Sequence, residues 1–307
     1  MSFRYLVVTV VSIFLALALG ILAGTTVLDQ GLVKNLRSNT RDAERRAKAL
    51  QREMADLDAF AALAVPRLVH GRLAHRDVVL VTDDNTDATA VSEARDFLDE
   101  AKAQIVAELH VRSTIAPDNT PDSALRQVLS SGGAPTGGSL STDAARVLAN
   151  RLSHGPPLPE PKTGKPQGSD VLAALLSGGF LDFPHTSPPN PQDVGGPGQM
   201  VVVIAGGTSD PAVPFSAFMV PFVEQLVRDG MPVAAGEPLD ATKRFVGVLR
   251  TDPDLQAGEG LVTVDDLSSD SPFGGVALVL GLTELVRFGQ GGDYGVKDAS
   301  SIIPKVP

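Results

Sequence analysis

The longest apolar run of the chain lies near its N-terminus, where residues 5–28 carry no charged side chain. A helix of about 20 apolar residues suffices to cross a bilayer. The apolar region of a cleaved signal peptide is shorter, at about 7–15 residues, so this length favours an uncleaved anchor. The pattern therefore predicts a transmembrane signal anchor over residues 1–29, with most of the chain on one side of a membrane.

Small residues recur at every fourth position inside this run, at Ala16, Gly20 and Gly24. Such a stripe lets two helix backbones approach closely in lipid. Gly is also frequent in membrane helices in general, which is the simpler explanation. We take the stripe as a predicted packing face for a second helix.

Residues 30–66 continue with apolar or small side chains at alternating steps of three and four. This heptad pattern lasts about five heptads and predicts a long coiled-coil stalk. The strongest seam positions, and hence the predicted partner-binding residues, are Leu36, Leu50, Met54 and Leu57. Alanines weaken the seam, and Glu53 would face Asp58 of a second copy. The pattern favours a partner helix, or weak self-association helped by the span; a stripe packed on the chain's own domain is the alternative.

Beyond residue 66, short apolar runs alternate with helical periodicity. Val78–Val81 and Val201–Ile204 are continuous apolar runs, as expected for strands buried on both faces. Further strands are predicted at 104–111, 233–235, 245–249 and 261–264, and helices at 88–103, 123–129, 215–228 and 273–288. The order predicts a Rossmann-like three-layer α/β domain over 67–288 with Pro/Gly-rich insertions. Residues 289–307 are predicted to form a flexible tail.

The charge of the chain is divided unevenly. The net charge is −10, yet residues 1–60 hold eight basic and six acidic residues, or +2, which leaves −12 for residues 61–307. An acidic body lacks the Lys and Arg clusters that phosphate contacts require, so no nucleic-acid partner is expected. The positive-inside rule places this body in the cytoplasm, whereas the short N-terminal flank is typical of an exported body. The absence of cysteine fits either compartment, so the residues leave the orientation open.

No motif of catalytic specificity is present, and the chain is predicted to be neither an enzyme nor a cofactor-binding protein. Gly206-Gly207-Thr208 follows a predicted strand but lacks a third glycine, which favours a turn over a nucleotide site. The acidic turns at 83–87 and 265–266 offer ligands for a hard cation, or are solvated turns and helix caps. Copper(I) prefers thiolate or thioether ligands, and neither the methionines nor the five histidines form a recognisable cluster. The metal ligands therefore stay unknown.

Three segments in their order along the chain resemble a known family. They are Leu15–Gly24 in the span, Thr263–Asp266 before an apolar helix, and the glycine-rich Gly289–Gly295. This layout resembles the actinobacterial copper transporter MctB family, which has a related branch of SteB-like envelope proteins. The resemblance implies an exported body, a cell-envelope location and a role in copper homeostasis, with copper as the transported ion. The related branch implies a role in cell separation through a partner and cell-wall hydrolases.

Together these observations predict a non-enzymatic, single-pass protein of the cell membrane with an extracytoplasmic body and a role in copper transport. The alternative is a scaffold or regulator of cell-wall hydrolysis that acts through its stalk. A membrane channel requires several helices or a closed barrel, which one predicted span and buried strands do not supply in a monomer.

Overall fold

The computed structural model describes residues 3–117, 122–131, 139–157, 170–184, 188–255, 260–269 and 271–305. The chain divides into two compact units, Met1–Leu63 and Ala64–Pro307. The first unit consists of one helix, α1, which spans Phe3–Val69 and ends within the second unit. Side chains of α1 are described at residues 7–22, 39–56, 59–61 and 63–69.

The prediction of an N-terminal transmembrane helix, and with it of single-pass anchoring, is wrong. Among the described residues, no helix combines the length and the apolarity that a membrane crossing demands. From Arg41 onward, α1 carries charged side chains that a bilayer would exclude.

The second unit is built on a seven-stranded sheet, which confirms the α/β class. The strands are β1 (Asp77–Asp83), β2 (Gln104–Val111), β3 (Leu181–Asp182), β4 (Gln199–Ile204), β5 (Val233–Pro238), β6 (Leu261–Leu267) and β7 (Gly292–Tyr294). Their order across the sheet is β3-β2-β1-β4-β5-β6-β7. All neighbouring pairs are parallel except β2 with β3. The carboxyl ends of the six parallel strands therefore meet at one edge of the sheet.

Helices cover both faces of this sheet. They are α2 (Ala88–Glu100), α3 (Asp122–Ser131), α4 (Leu140–His154), α5 (Val171–Ser177), α6 (Met219–Arg228), α7 (Phe245–Thr251) and α8 (Phe273–Phe288). Helices α3 to α7 pack on one face with Val79 and Val201, and α2 and α8 pack on the other with Val78 and Val202. Successive strand residues alternate between two buried cores, which explains the continuous apolar runs in the sequence.

A buried ion pair ties the irregular segments to the first of these faces. Arg151 of α4 donates two hydrogen bonds to the carboxylate of Asp170, of 2.7 and 3.0 Å, and others to the carbonyls of Pro191 and Val194. Asp170 also caps α5 by accepting from the backbone N–H of Leu172. One buried guanidinium thus connects α4, α5 and the segment before β4.

Two predicted elements differ from the structure. Residues 245–249 form the helix α7 and not a strand, because β5 and β6 are parallel neighbours and their connection requires a crossover. Residues 292–294, assigned by sequence to the flexible tail, form β7 at the edge of the sheet and pair with β6. This segment contains few apolar residues, so its sequence does not indicate a strand. In the structure, polar contacts with β6, such as the hydrogen bond from Thr263 to Asp293, stabilise β7.

Candidate functional site

The acidic turn after β1 uses its carboxylates for local structure. Asp83 accepts hydrogen bonds from the hydroxyl of Thr86, at 2.7 Å, and from the backbone N–H of Asn85. Asp87 caps α2 by accepting from two backbone N–H groups of that helix. Asp84 accepts from the backbone N–H of Ser113 at 2.8 Å. Burial raises the pKa of Asp83. These bonds favour helix capping and turn formation over a hard-cation site.

The space beside the glycine turn after β4 is occupied by the backbone of Thr242 and Lys243. Ligands of parallel α/β sheets bind where the strand order reverses, here between β1 and β4. The carbonyl of Gly207 accepts from the backbone N–H groups of Thr242 and Lys243, and a Cβ at Gly206 would lie 2.8 Å from the carbonyl of Lys243. Asn85 bridges the same crevice by donating to the carbonyl of Asp210 at 2.9 Å. The geometry supports the turn that the sequence favoured.

Asp265, at the carboxyl end of β6, is held in an ionic network. It forms a buried ion pair with Arg250 of α7 and accepts hydrogen bonds from the backbone N–H groups of Val296 and Lys297. Arg250 also donates to the carbonyls of Tyr294 and Lys297. The network attaches the C-terminal segment to the sheet, so Asp265 is committed to structure.

Asp266, the next residue, points to the other face and has a different environment. Asp266 and Glu93 of α2 are 1% and 7% exposed, and none of their carboxylate oxygens has a hydrogen bond of good geometry among the described residues. Burial raises the pKa of Glu93 to about 8, although backbone N–H groups of Gly275 and Ser268 offset part of the rise. Burial and the charge of Asp265 raise the pKa of Asp266 to about 6. The two carboxyls form a buried acidic pair near the start of α8.

A second acidic group lies outside the sheet edge, where Glu224 of α6 meets Asp252 and Asp254 after α7. One carboxylate oxygen from each residue lies within 4.8 Å of the other two. Asp252 also accepts from the backbone N–H of Asp254 at 2.9 Å, which orients the turn. Burial and the two aspartates raise the pKa of Glu224. Within the described part of the chain, this carboxylate triad is the group of side chains with the spacing for a shared metal ion.

The described methionines and histidines do not form a copper(I) site. Met200 belongs to one core and Met219 and Met231 to the other. His70 pairs with Glu100 at 2.8 Å, and His110 lies 3.6 Å from Asp182. These described thioethers and imidazoles are thus dispersed over different parts of the fold.

The predicted partner-binding residues on α1 are exposed where they are described. Leu50 and Met54 are 60% and 65% exposed, whereas the side chains of Leu36 and Leu57 lie outside the described set. The structure confirms neither a coiled coil nor a partner, so both stay predictions. Phe60 and Leu63 are equally exposed and were missed, because they fall outside the heptad seam.

The small-residue stripe in the first part of α1 is open where it is described. Ala16 and Gly20 lie with Ile13, Leu17 and Ile21 on an exposed apolar surface, and nothing lies within 4 Å of a Cβ placed at Gly20. The surroundings of Gly24 are not among those that the structure describes. Packing of a second helix on this stripe stays a prediction.

Comparison with known proteins agrees with the resemblance of the sequence. The family described as "Copper transport outer membrane protein, MctB" matches residues 1–304. Proteins named "Copper transporter MctB" from Mycobacterium bovis and Mycobacterium tuberculosis are 26% identical over 316 residues, covering 96% of both chains. The protein of the same name from Mycobacterium leprae is 26% identical over 319 residues, covering 98% of both chains. The chain therefore belongs to the MctB family of copper transport outer membrane proteins.

Proposed function

We propose that this chain serves copper transport in the cell envelope by binding copper as Cu²⁺ on oxygen ligands. The observation that carries this proposal is the carboxylate triad of Glu224, Asp252 and Asp254. Membership of a copper transport family supports copper as the ion that the triad would bind. The envelope location follows the family description, and an extracytoplasmic body is part of the proposal.

The oxidation state follows from the ligands that the chain offers. Cu⁺ is bound by thiolates and thioethers, but the chain contains no cysteine. Met200, Met219 and Met231 are buried in the cores, and the exposed Met54 of α1 offers a single thioether. Carboxylates suit Cu²⁺ better than Cu⁺. For one set of oxygen or nitrogen ligands, Cu²⁺ is also the most tightly bound of the divalent first-row metals.

The triad has a position suited to exchange of its cargo. Asp254 is exposed, whereas Glu224 and Asp252 are half-buried, so an ion can enter from solvent and meet two less hydrated carboxylates. Burial, and after it the charges of Asp252 and Asp254, raise the pKa of Glu224, so the three carboxylates repel one another when ionised. A divalent cation would relieve this repulsion, although Arg146 and Arg228 already offset part of it.

Removal of two triad carboxylates is expected to weaken Cu²⁺ binding at least tenfold, or about 1.4 kcal/mol. The test is calorimetric titration of the full chain with Cu²⁺, comparing the wild type with Asp252→Asn/Asp254→Asn. The asparagine at position 252 keeps an oxygen that can accept the turn hydrogen bond. Electron paramagnetic resonance of the bound Cu²⁺ is expected to show oxygen ligands without nitrogen couplings.

The matched control is Asp96→Asn/Asp99→Asn, which removes two exposed carboxylates from α2. It is expected to leave the affinity for Cu²⁺ unchanged. Nitrogen couplings in the spectrum, or equal affinities of the triad variant and the wild type, would reject oxygen ligation at the triad.

The second candidate function is a scaffold that regulates cell-wall hydrolysis through α1. The observation that favours it is the exposure of Leu50 and Met54, which lie one turn apart on the same face of α1. Large apolar side chains left in water along a helix are typical of a surface that receives another helix. This candidate requires no metal ligand.

Charged substitutions in the seam separate the two functions. We expect Leu50→Glu/Met54→Glu to leave cells unable to separate if α1 docks a partner, because two charges would be buried unpaired in the interface. The measurement is complementation of cells lacking the chain, scored both for separation and for copper tolerance. Arg52→Glu, on the opposite side of an ideal helix, is the control and should complement fully. Normal separation in the seam variant would contradict docking through these residues.

A further inference from the structure

A cleft of about 200 Å³ lies between the turn after α1 and the last turns of α8. It is lined by three arginines, Arg72, Arg76 and Arg287. Among the described residues, none of the three has a carboxylate within the 4.0 Å of an ion pair. The cleft is thus a concentration of positive charge on a body whose net charge is −12.

Capping of the neighbouring helices accounts for only part of this arrangement. Arg72 donates through Nε to the carbonyl of Leu68 at 3.0 Å, which caps α1 and leaves both terminal nitrogens for other partners. Arg287 lies in the last turn of α8, where a cation complements the helix dipole. Arg76 has no such role and makes no side-chain hydrogen bond with described residues. Three like charges around one cleft repel one another, and a bound anion would remove that cost.

A small apolar slot opens beside the arginines. Leu280, Phe288 and Pro304 line it together with Arg72, Arg287, Thr283 and Glu284, so one carboxylate also borders the slot. Phe288 is largely exposed, so its ring is available to a ligand. The cleft and the slot share two of their arginines, which places a cationic surface directly next to an apolar one.

We propose that this arginine cleft binds a phosphate-type anion and that the slot beside it receives an apolar group of the same ligand. Guanidinium groups bind phosphate oxygens through paired, charge-assisted hydrogen bonds, and three of them suit an anion that offers several oxygens. The same chemistry occurs in a soluble phosphate ester and in a phospholipid head group. The site is independent of the carboxylate triad and of the copper proposal.

The test compares three probes on the full chain by calorimetric titration. The probes are inorganic phosphate, glycerol 3-phosphate, and dihexanoyl phosphatidylglycerol below its micelle concentration. For every probe that the wild type binds, the double variant Arg76→Gln/Arg287→Gln is expected to have an affinity at least tenfold lower. Affinity is also expected to fall as salt is raised, because the partly exposed arginines are screened. The melting temperature of the variant should stay close to that of the wild type, because relief of the repulsion among the arginines offsets the loss of the helix-dipole interaction of Arg287.

The probes distinguish the source of the anion. Tighter binding of the short-chain lipid, lost in Phe288→Ser, would assign a lipid head group with its chain in the slot. Equal binding of the two soluble phosphates and the lipid would assign a free phosphate compound and reject a role for the slot. Arg126→Gln, an exposed arginine of α3, is the control and should bind as the wild type does. No binding of any probe, or equal affinity of the wild type and the double variant, would overturn the proposal.

Discussion

Replacing Asp265 by Asn is expected to reduce the free energy of unfolding by about 3–5 kcal/mol, because Arg250 would be left charged in the core without its partner. Asp265 is completely buried, and the side chain of Arg250 is almost so. The desolvation cost of the guanidinium stays in the variant, whereas most of the compensating attraction is lost. Asp293, whose carboxylate lies 3.5 Å from Nε of Arg250, can replace only part of it.

The same substitution is expected to loosen the C-terminal segment before the rest of the fold. The carboxylate of Asp265 accepts backbone hydrogen bonds of 2.8 Å from Val296 and 3.1 Å from Lys297, and Asn offers only one accepting oxygen. A Cβ at Gly295 would lie 2.0 Å from Asp265, so the segment is fitted closely around this carboxylate. Amide hydrogen exchange should therefore rise first in β7 and the residues after it.

Denaturant unfolding of the full chain measures the stability, and Asp298→Asn is the control. Asp298 lies in the same segment and binds Arg244 at 2.7 Å, but its side chain is largely exposed. Solvent screens such a pair, and the control should unfold at the wild-type denaturant concentration. Equal stability of the Asp265 and Asp298 variants would show that the buried pair does not hold the C-terminal segment.

The strands that form the centre of the sheet could be predicted from sequence because each contains four consecutive apolar residues. Val78–Val81 and Val201–Ile204 face a core on each side, so the run itself identifies them. Residues 245–249 have the same apolar content but form a helix, and a short run does not distinguish the two. β7 could not be predicted because its place depends on polar contacts with β6, which local apolar content does not reveal.

The candidate sites show the same division. The exposed seam residues Leu50 and Met54 follow from helical periodicity, which is local. The triad joins Glu224 to aspartates almost thirty positions away, and only the packing of α6 against the end of α7 brings them together. From the sequence, the adjacent Asp265 and Asp266 are interpreted together as one acidic turn. The structure shows that Asp265 is paired and Asp266 is not, because successive strand residues face opposite sides of the sheet.

Glu93→Gln is expected to make the chain more stable at alkaline pH and to flatten the fall of stability with pH. The carboxyl of Glu93 has a pKa of about 8 when folded, raised from 4.5 chiefly by burial. Between these values the folded chain holds a proton that the unfolded chain has released. The contribution of Glu93 to stability is therefore complete below pH 4.5 and is lost as pH rises through about 8.

Asp266 acts in the same direction over a lower range. Its pKa is raised from 3.8 to about 6, so its contribution is complete below pH 3.8 and is lost as the pH rises through about 6. The two carboxyls repel each other when both are ionised, which makes the loss steeper. The wild type should lose on the order of a few kcal/mol through this pair, since one pKa unit corresponds to about 1.4 kcal/mol.

Glutamine has the shape of the protonated acid but cannot ionise, which makes Glu93→Gln a direct test of the buried proton. Near pH 5 the variant and the wild type should have similar free energies of unfolding, and by pH 9 the variant should be the more stable of the two. Denaturant unfolding at several pH values gives the difference in free energy of unfolding between the variant and the wild type. The other carboxyls titrate in both proteins, so their contributions cancel in this difference. Asp99→Asn removes an exposed carboxyl from the same helix and should follow the wild-type curve. Parallel curves for Glu93→Gln and the wild type would mean that Glu93 is ionised in the folded chain and would contradict the buried proton.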